Sequence, residues 1–186
     1  WWCDLNYSKA DRALEYYYKV QVGGSVERSE WQTVKHVLDL TCDAATDYTV
    51  YDRWNAMPDD SYLYSSAFTD CINHLEPQTM QPTAYDRTLR LVVRAPQLRE
   101  GQRLAVVGAQ KALGEWKYDK ALPMTLHNHC EWAVDIDASL LHDDSIEFKL
   151  VVVNGSGLVM MWECGNNRTI TLPQFKNGQT VVYSLD

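Results

Sequence analysis

The sequence has no long hydrophobic run and no cluster of lysine and arginine. A membrane-spanning helix needs about 20 consecutive apolar residues, and no such run occurs in the 186 residues. The net charge is −8, and basic residues are not gathered into a patch. Both observations argue against a nucleic-acid-binding surface, because such surfaces neutralise phosphates with clustered Lys and Arg.

The cysteine pattern lacks the spacing of a metal site. The five cysteines are odd in number and widely separated, and no Cys-x-x-Cys occurs. This pattern predicts neither a zinc site nor a disulfide framework. It favours a reducing compartment, so we expect a cytoplasmic protein. The P-loop, Gly-x-Ser-x-Gly and Gly-x-Gly-x-x-Gly motifs are also missing, and we predict no cofactor, no metal and no catalytic residue.

Phenylalanine is scarce, but the other aromatic residues are abundant. There are 3 Phe against 7 Trp and 11 Tyr. Because Trp and Tyr join an apolar ring to a polar group, their excess indicates surfaces that contact an amphipathic partner such as a sugar or a protein. The length suits one domain plus part of another. Since the chain begins with Trp1 rather than Met, we expect a fragment of a longer protein.

Charge and composition divide the chain near residue 86. Residues 1–86 hold 6 Lys/Arg and 14 Asp/Glu, whereas the remainder holds 11 of each. Pro77 and Pro82 lie among polar residues before this point, as in a linker. We therefore predict three parts, which are a partial module at 1–51, a connecting arm and linker at 52–86, and a complete module at 87–186.

Short segments rich in β-forming residues dominate the last hundred residues. Strands are predicted at 88–95, 103–108, 132–136, 146–153, 158–163, 168–172 and 180–185. The only segment there with helical character, at 109–114, is short. Seven short strands separated by turns are typical of an immunoglobulin-like antiparallel β-sandwich, so the predicted fold class is all-β.

A spacing of Trp, Lys and Trp occurs twice. Trp1, Lys19 and Trp31 are separated by 18 and 12 residues, and Trp132, Lys149 and Trp162 by 17 and 13. In the first part, strands are predicted at 13–21, 26–32, 34–40 and 48–51. The repeat predicts that residues 1–51 are the C-terminal part of a first sandwich module.

The second copy resembles the starch-binding domain, the family-20 carbohydrate-binding module, over about 100 residues. The motifs that carry the resemblance follow one order along the chain. They are Val107-Gly108, Leu113-Gly114-Glu115-Trp116, Ala121-Leu122-Pro123-Met124, Trp132, Phe148-Lys149, Trp162-Glu163 and Asn167-Arg168. The resemblance implies a sandwich that binds α-1,4-glucan without catalysis.

The same resemblance implies a role for each carbohydrate-binding residue. Trp116 and Trp162 would be the two aromatic platforms for glucose rings. Lys149 and Asn167 would donate hydrogen bonds to sugar hydroxyls, and Glu163 would accept one. The family's second sugar site pairs a Trp with tyrosines. Here Glu100 and residues 127–130 occupy the tyrosine positions, so we expect that site to be lost and Trp132 to belong to the core.

The first copy departs from the family pattern. Lys19 and Trp31 match the strand Lys and the second platform, but Gln32 and His36 replace the expected Glu and Asn. We interpret Lys19 and Trp31 as a remnant site that does not bind starch alone. His127, His129 and Cys130 have the residue types of a metal site, but a fourth ligand is not evident, so we interpret them as an exposed loop.

Two such modules in tandem resemble the N-terminal part of a 4-α-glucanotransferase of glycoside hydrolase family 77. That resemblance implies a cytoplasmic enzyme of maltose and glycogen metabolism, whose catalytic TIM barrel would lie downstream and outside these residues. The expected partners are α-glucan and that catalytic domain. Two alternatives stay open, which are the starch-binding module of another amylolytic or glucan-modifying enzyme, and an immunoglobulin-like domain for protein interaction.

Overall fold

The computed structural model describes residues 1–8, 11–40 and 45–186, and its regular secondary structure is mostly β-strand. The strands are Ala13–Tyr16 (β1), Lys19–Val22 (β2), Ser25–Ser29 (β3), His36–Asp39 (β4), Asp47–Tyr51 (β5), Arg87–Arg94 (β6), Gln102–Gly108 (β7), Leu122–Pro123 (β8), Thr125–Asn128 (β9), Glu131–Asp137 (β10), Ser145–Asn154 (β11), Val159–Trp162 (β12), Arg168–Thr171 (β13) and Gln179–Leu185 (β14). The helices are the short α-helix Ser66–Thr69 (α1) and the 3₁₀ turns Ser61–Tyr64, Lys111–Leu113, Tyr118–Lys120 and Ala138–Leu140.

Two sheets face each other and enclose the core. One, the five-stranded sheet, has the strand order β5-β14-β6-β10-β9. The other has the order β12-β11-β7-β8, and β13 pairs with the same edge of β11 as β12 does. Because it is four strands wide, we call it the four-stranded sheet. Alternate residues of β6 and β11, such as Leu89, Leu91, Ile146 and Phe148, point inward and are fully buried. Burial of each such side chain contributes about 1.5–3 kcal/mol. The immunoglobulin-like β-sandwich predicted from the sequence is confirmed.

The seven strands predicted in residues 87–186 are all present, with ends that differ by a residue or two. The sequence missed β8 and β9, which are too short to show a period. It also treated residues 13–21 as one strand, whereas the structure has β1 and β2. The last strand corrects the antiparallel expectation, because β14 runs parallel to both β5 and β6. A strand can pair in parallel when a long connection, rather than a hairpin, brings it to its neighbour.

The β1–β4 pair, called the N-terminal layer below, packs on the outer face of the five-stranded sheet. β1 pairs with β4, and Leu38 of this pair packs with Met80, Val92, Ala133 and Val182. β5 joins the sandwich itself by pairing with β14. The predicted N-terminal unit therefore shares a core and a sheet with the sandwich. The boundaries 1–51, 52–86 and 87–186 stay a prediction.

A buried ion pair also holds this layer in place. The guanidinium of Arg90 donates to both carboxylate oxygens of Asp135, at 2.7 and 2.9 Å, and to the carbonyl of Asp39 at 2.6 Å. Both side chains of the pair are at most 3% exposed. Because Arg90 on β6 donates both to Asp135 on β10 and to the carbonyl of Asp39, it connects β6 and β10 to the end of β4.

The N-terminal hairpin does not repeat the strand pairing of the second copy. β2 and β3 place Lys19 opposite Ser29, two residues before Trp31. In the second copy Trp162 lies opposite Val151, and the Lys149 ammonium reaches the carbonyl of Glu163, beyond the tryptophan. The two hairpins therefore differ in register, and the tandem repeat stays a prediction from sequence spacing.

The arm at 52–86 is more ordered than its sequence indicates. It contains a 3₁₀ turn and α1, and its polar groups bind the sandwich. The side-chain amide of Asn73 donates to the carbonyl of Pro96 at 2.9 Å, and the backbone N–H of Gln78 donates to the carbonyl of Leu126 at 2.6 Å. Among the described ranges, no helix has the length and apolar character that a membrane span requires.

Candidate functional site

The outer face of the four-stranded sheet brings together three residues that the sequence singled out. Directly opposed residues in a sheet point to the same face. Val151 opposes both Ala105 and Trp162. Lys149 precedes Val151 by two residues on β11, so it points to the same face, and it opposes Val107. Trp116 packs against the apolar cluster of Ala105, Val107, Val151 and Val153 on this face. Trp116, Lys149 and Trp162 therefore lie on one side of one sheet.

The turn that carries Trp116 depends on two glycines. Gly114 has φ +83°, and a Cβ there would lie 2.6 Å from the carbonyl oxygen of Lys120. At Gly108 a Cβ would lie 2.5 Å from the carbonyl oxygen of Glu147. Glu115 and Trp116 also have positive φ, at 53° and 60°. A bulky residue rarely adopts this conformation, and strained backbone is common at functional sites.

The two tryptophans differ in exposure. Trp162 lies on the edge strand β12 with 42% of its surface exposed. Trp116 is half-buried, because part of its ring covers the apolar cluster of the sheet. Both residues nevertheless leave aromatic surface in contact with solvent. Such a pair can stack on a ligand with flat apolar faces.

The loop at 163–167 lies beside the tryptophans, and its backbone is held by Lys149. The Lys149 ammonium donates to the carbonyls of Glu163, Gly165 and Asn166, at 3.0, 2.7 and 3.4 Å. In the structure all three of its protons therefore point at the main chain. The predicted donation from Lys149 to a sugar stays a prediction, and the geometry assigns it the further task of ordering the loop.

Asn167 extends from the same loop. Its side-chain amide donates to Oε1 of Glu147 at 3.0 Å, and both residues are exposed. Its carbonyl oxygen and second amide proton have no partner recorded among the described residues. Asn167 is thus oriented by Glu147 and keeps hydrogen-bonding capacity for a ligand, as its predicted role requires.

The carboxylate of Glu163 is engaged within the chain. Arg168 donates to both of its oxygens, and the Leu150 amide donates to Oε2 at 3.2 Å. Burial by itself raises the pKa of Glu163, but the hydrogen bonds from Arg168 and Leu150 outweigh it and hold the pKa below its usual value of 4.5. The geometry therefore makes Glu163 a support for the loop, through a contact to Arg168 that the sequence did not reveal.

This ion pair predicts an acid-sensitive binding loop. The pKa of Glu163 is lower in the folded than in the unfolded chain. The stability that its ion pair with Arg168 gives to the loop is therefore complete above about pH 4.5, and it is lost as the pH falls through the folded pKa. Glu163→Gln should weaken ligand affinity near neutral pH by about fivefold, equivalent to about 1 kcal/mol for a partly exposed charged hydrogen bond. Calorimetry with β-cyclodextrin from about pH 6 to about pH 3 measures both effects.

The control for this experiment is Glu27→Gln, which changes an exposed glutamate on the distant hairpin. It should follow the wild-type curve. In Glu163→Gln the acid loss of affinity should be smaller than in wild type. Equal acid sensitivity in the two proteins would show that another group controls the loop.

The remnant-site residues Lys19 and Trp31 meet different neighbours. Lys19 is exposed on the hairpin, with its ammonium 5.0 Å from the centre of the Tyr17 ring. Trp31 packs edge-on against Tyr64 of the arm, with ring centres 5.2 Å apart. Trp132 is 4% exposed and belongs to the core, as predicted. Trp1, its predicted counterpart in the repeat, is fully exposed.

The predicted exposed loop at 127–130 is corrected by the structure. His127 lies on β9, and its side chain is only 2% exposed, with Nε2 3.1 Å from Oε1 of Glu131. His129 contacts the carbonyl of Tyr64 at 2.7 Å. Burial raises the pKa of the Cys130 thiol to about 12, so this thiol is unreactive. Within the described part of the chain, no group of His, Cys, Asp and Glu could hold a metal ion.

Two partly exposed tryptophans on one face of a β-sandwich, beside a loop of fixed polar groups, are features of a ligand-binding module. The family model described as "Starch binding domain" matches residues 88–182. The chain belongs to this family of non-catalytic starch-binding modules, whose ligands are α-glucans such as starch.

Enzymes that carry similar segments are cyclomaltodextrin glucanotransferases. That of Geobacillus stearothermophilus is 31% identical over 99 residues, which cover 51% of this chain and 14% of the enzyme. That of Bacillus sp. (strain 1-1) is 36% identical over 77 residues, which cover 39% of this chain and 10% of the enzyme. The chain therefore spans only a small part of the length of either relative.

Solved structures of the same kind also align. The γ-cyclodextrin glucanotransferase of alkalophilic Bacillus clarkii aligns over 56% of this chain and 16% of its own, with 27% identity and a TM-score of 0.43. The family-20 module of the maltotetraose-forming amylase from Pseudomonas saccharophila STB07 aligns over 53% of this chain and 99% of its own. For that module the identity is 20% and the TM-score is 0.41.

Proposed function

We propose that the outer face of the four-stranded sheet is the surface that holds α-1,4-glucan. The observation that carries this proposal is the presence of Trp116 and Trp162 on the same open face, next to the loop ordered by Lys149. A glucose ring has an apolar C–H face and a rim of hydroxyls. The two indoles stack on the faces of glucose rings, and Asn167 binds a hydroxyl at their rim. Lys149 binds a second hydroxyl when the sugar replaces one of the three loop carbonyls that its ammonium contacts.

The expected affinity follows from the few groups involved. Each aromatic contact contributes about 1 kcal/mol beyond the area that it buries. Two platforms and a few hydrogen bonds correspond to a Kd in the range of about 1 μM to 1 mM. An affinity of this size suits a module that holds a polymer near a catalytic domain and releases it again.

The proposed parent is a cytoplasmic 4-α-glucanotransferase of glycoside hydrolase family 77, with a catalytic barrel in the same protein. Its support is the twice-repeated spacing of Trp, Lys and Trp together with the connecting arm.

A second candidate is the module of another amylolytic or glucan-modifying enzyme. It is favoured by the sequence relatives, which are cyclomaltodextrin glucanotransferases. Sequencing the coding region on both sides of these residues separates the two candidates. A family 77 barrel after Asp186 supports the proposed parent, whereas an amylase-type catalytic domain before the module overturns it.

Retention on amylose resin tests the binding function directly. The chain should be retained by amylose and released by β-cyclodextrin, because the cyclic glucan competes for the same open face. A crystalline cellulose column is the control, since its β-linked chains are flat and do not match a site for a coiled α-glucan. Passage through amylose without retardation would contradict glucan binding.

A further inference from the structure

A second concave site lies where the N-terminal layer and the arm meet the five-stranded sheet. We call it the junction cleft and define it by Trp31, Trp54, Tyr64, Arg94, Glu131 and Asp186, which line a volume of about 370 Å³. It opens on the opposite sheet from Trp116 and Trp162. It is also separate from Trp132, which lines a different cleft. Its volume is within the range of small-molecule sites.

The aromatic wall of the junction cleft is held in place by hydrogen bonds. Trp31 and Tyr64 meet edge to face at an interplanar angle of 85°. The Trp31 amide donates to the carbonyl of Asn55 at 2.9 Å, and the Asn55 side chain donates to the carbonyls of Trp31 and Val34. Trp54 is 37% exposed, and Arg28 lies 4.5 Å from its ring centre. The wall is therefore preorganised.

The floor of the cleft contains a buried and paired carboxylate. Glu131 is 93% buried, and Arg94 Nε lies 3.5 Å from its Oε2. Its Oε1 is sealed from solvent and lies 3.1 Å from His127 Nε2. Glu131 therefore closes the floor of the cleft and holds Arg94 there, and it does not present a free charge to a ligand.

The charges around the cleft are paired. Arg94 faces Glu131, Arg53 forms an ion pair with Asp186 at the rim, and His36 lies between two carboxylates. The second partner of Arg94 is Asn55, which accepts at 2.5 Å. A charged ligand would find no unpaired opposite charge among these groups. Aromatic faces combined with paired polar groups instead suit a neutral ligand that is apolar on one side and rich in hydroxyls on the other.

We propose that the junction cleft binds one or two hexose units of a neutral saccharide, with Trp54 and Trp31 as the aromatic wall. That the hexose is glucose rests on the proposed function, whereas the existence of the cleft does not. A volume of about 370 Å³ suits a short saccharide or a chain end. The open sheet face instead accommodates a coiled or cyclic glucan.

The test uses the intact chain carrying Trp116→Ala and Trp162→Ala, which removes both platforms of the sheet face. Maltose is titrated into this double variant while the indole N–H resonances are followed by NMR. The resonances of Trp31 and Trp54 should shift with maltose concentration, and that of Trp2, which is 87% exposed, should not.

Adding Trp54→Ala to the double variant should weaken maltose binding about tenfold, and adding Trp2→Ala should leave it unchanged. Because Trp54 is an exposed residue, its replacement should not unfold the chain. The proposal for the cleft would be overturned if maltose moved no indole resonance in the double variant. It would also be overturned if the shifts persisted after Trp54→Ala. β-Cyclodextrin binding by the wild-type chain separately reports on the sheet face, so the two proposals fail independently.

Discussion

Replacing Trp162 by alanine should lower the affinity for β-cyclodextrin by about 30-fold while the fold stays intact. Truncation of a central aromatic contact costs about 2 kcal/mol or more, which corresponds to this factor. Trp162 is an exposed residue on an edge strand, so its loss removes ligand contact and little packing. Calorimetry measures the affinity, and thermal unfolding measures the stability.

Trp116→Ala should produce a different pair of results. Affinity should fall by a similar factor, but stability should fall too, because the Trp116 ring covers the apolar cluster of Ala105, Val107, Val151 and Val153. The matched control for both variants is Trp2→Ala, which removes an exposed indole of the N-terminal segment. Unchanged affinity in Trp162→Ala would show that the outer face of the four-stranded sheet is not the glucan site.

Asp135→Asn should lower the free energy of unfolding by about 3–5 kcal/mol. It leaves the Arg90 guanidinium buried without its charged partner, and breaking a buried ion pair from one side carries a cost of this size. For a chain of this length the melting temperature should fall by roughly 10 °C. Chemical denaturation and thermal scans measure the two quantities.

The same substitution should loosen the N-terminal layer, because Arg90 also donates to the carbonyl of Asp39 at 2.6 Å. Hydrogen exchange should therefore accelerate in β4 more than in the inward-facing residues of β11. The control is Asp59→Asn, which changes an exposed aspartate in the arm. A change in melting temperature no larger than that of Asp59→Asn would show that the pair does not stabilise the fold.

Part of the family pattern has a local cause. A Cβ at Gly114 would strike the carbonyl oxygen of Lys120 in the same turn, and Trp116 follows two residues after that glycine. The alternation of apolar and polar residues in the first half of β11 likewise predicts that Phe148 points inward and Lys149 outward. A sequence alone therefore predicts the sandwich and nominates the residues of the sheet face.

Other features depend on partners that are distant in the chain. Glu163 is predicted as a contact to the ligand, which stays a prediction, and the structure adds Arg168 and the Leu150 amide as donors to its oxygens. His127 was predicted to lie in an exposed loop, but it is buried beside Glu131. Neither residue carries a local signal of these contacts, because loop geometry and strand pairing decide them.

The amino-acid sequence by itself determined that this protein has an all-β core, that Trp116 and Trp162 are its candidate platforms and that it resembles starch-binding modules. Periodicity and turn chemistry act over a few residues, so they can be recognised in a single chain. Only the tertiary structure shows which of the two outer sheet faces the N-terminal layer leaves uncovered. The N-terminal layer covers the five-stranded sheet around Val92 and Ala133, and it leaves the four-stranded sheet to the tryptophans. It also created the junction cleft, because packing between segments far apart in sequence has no local signature.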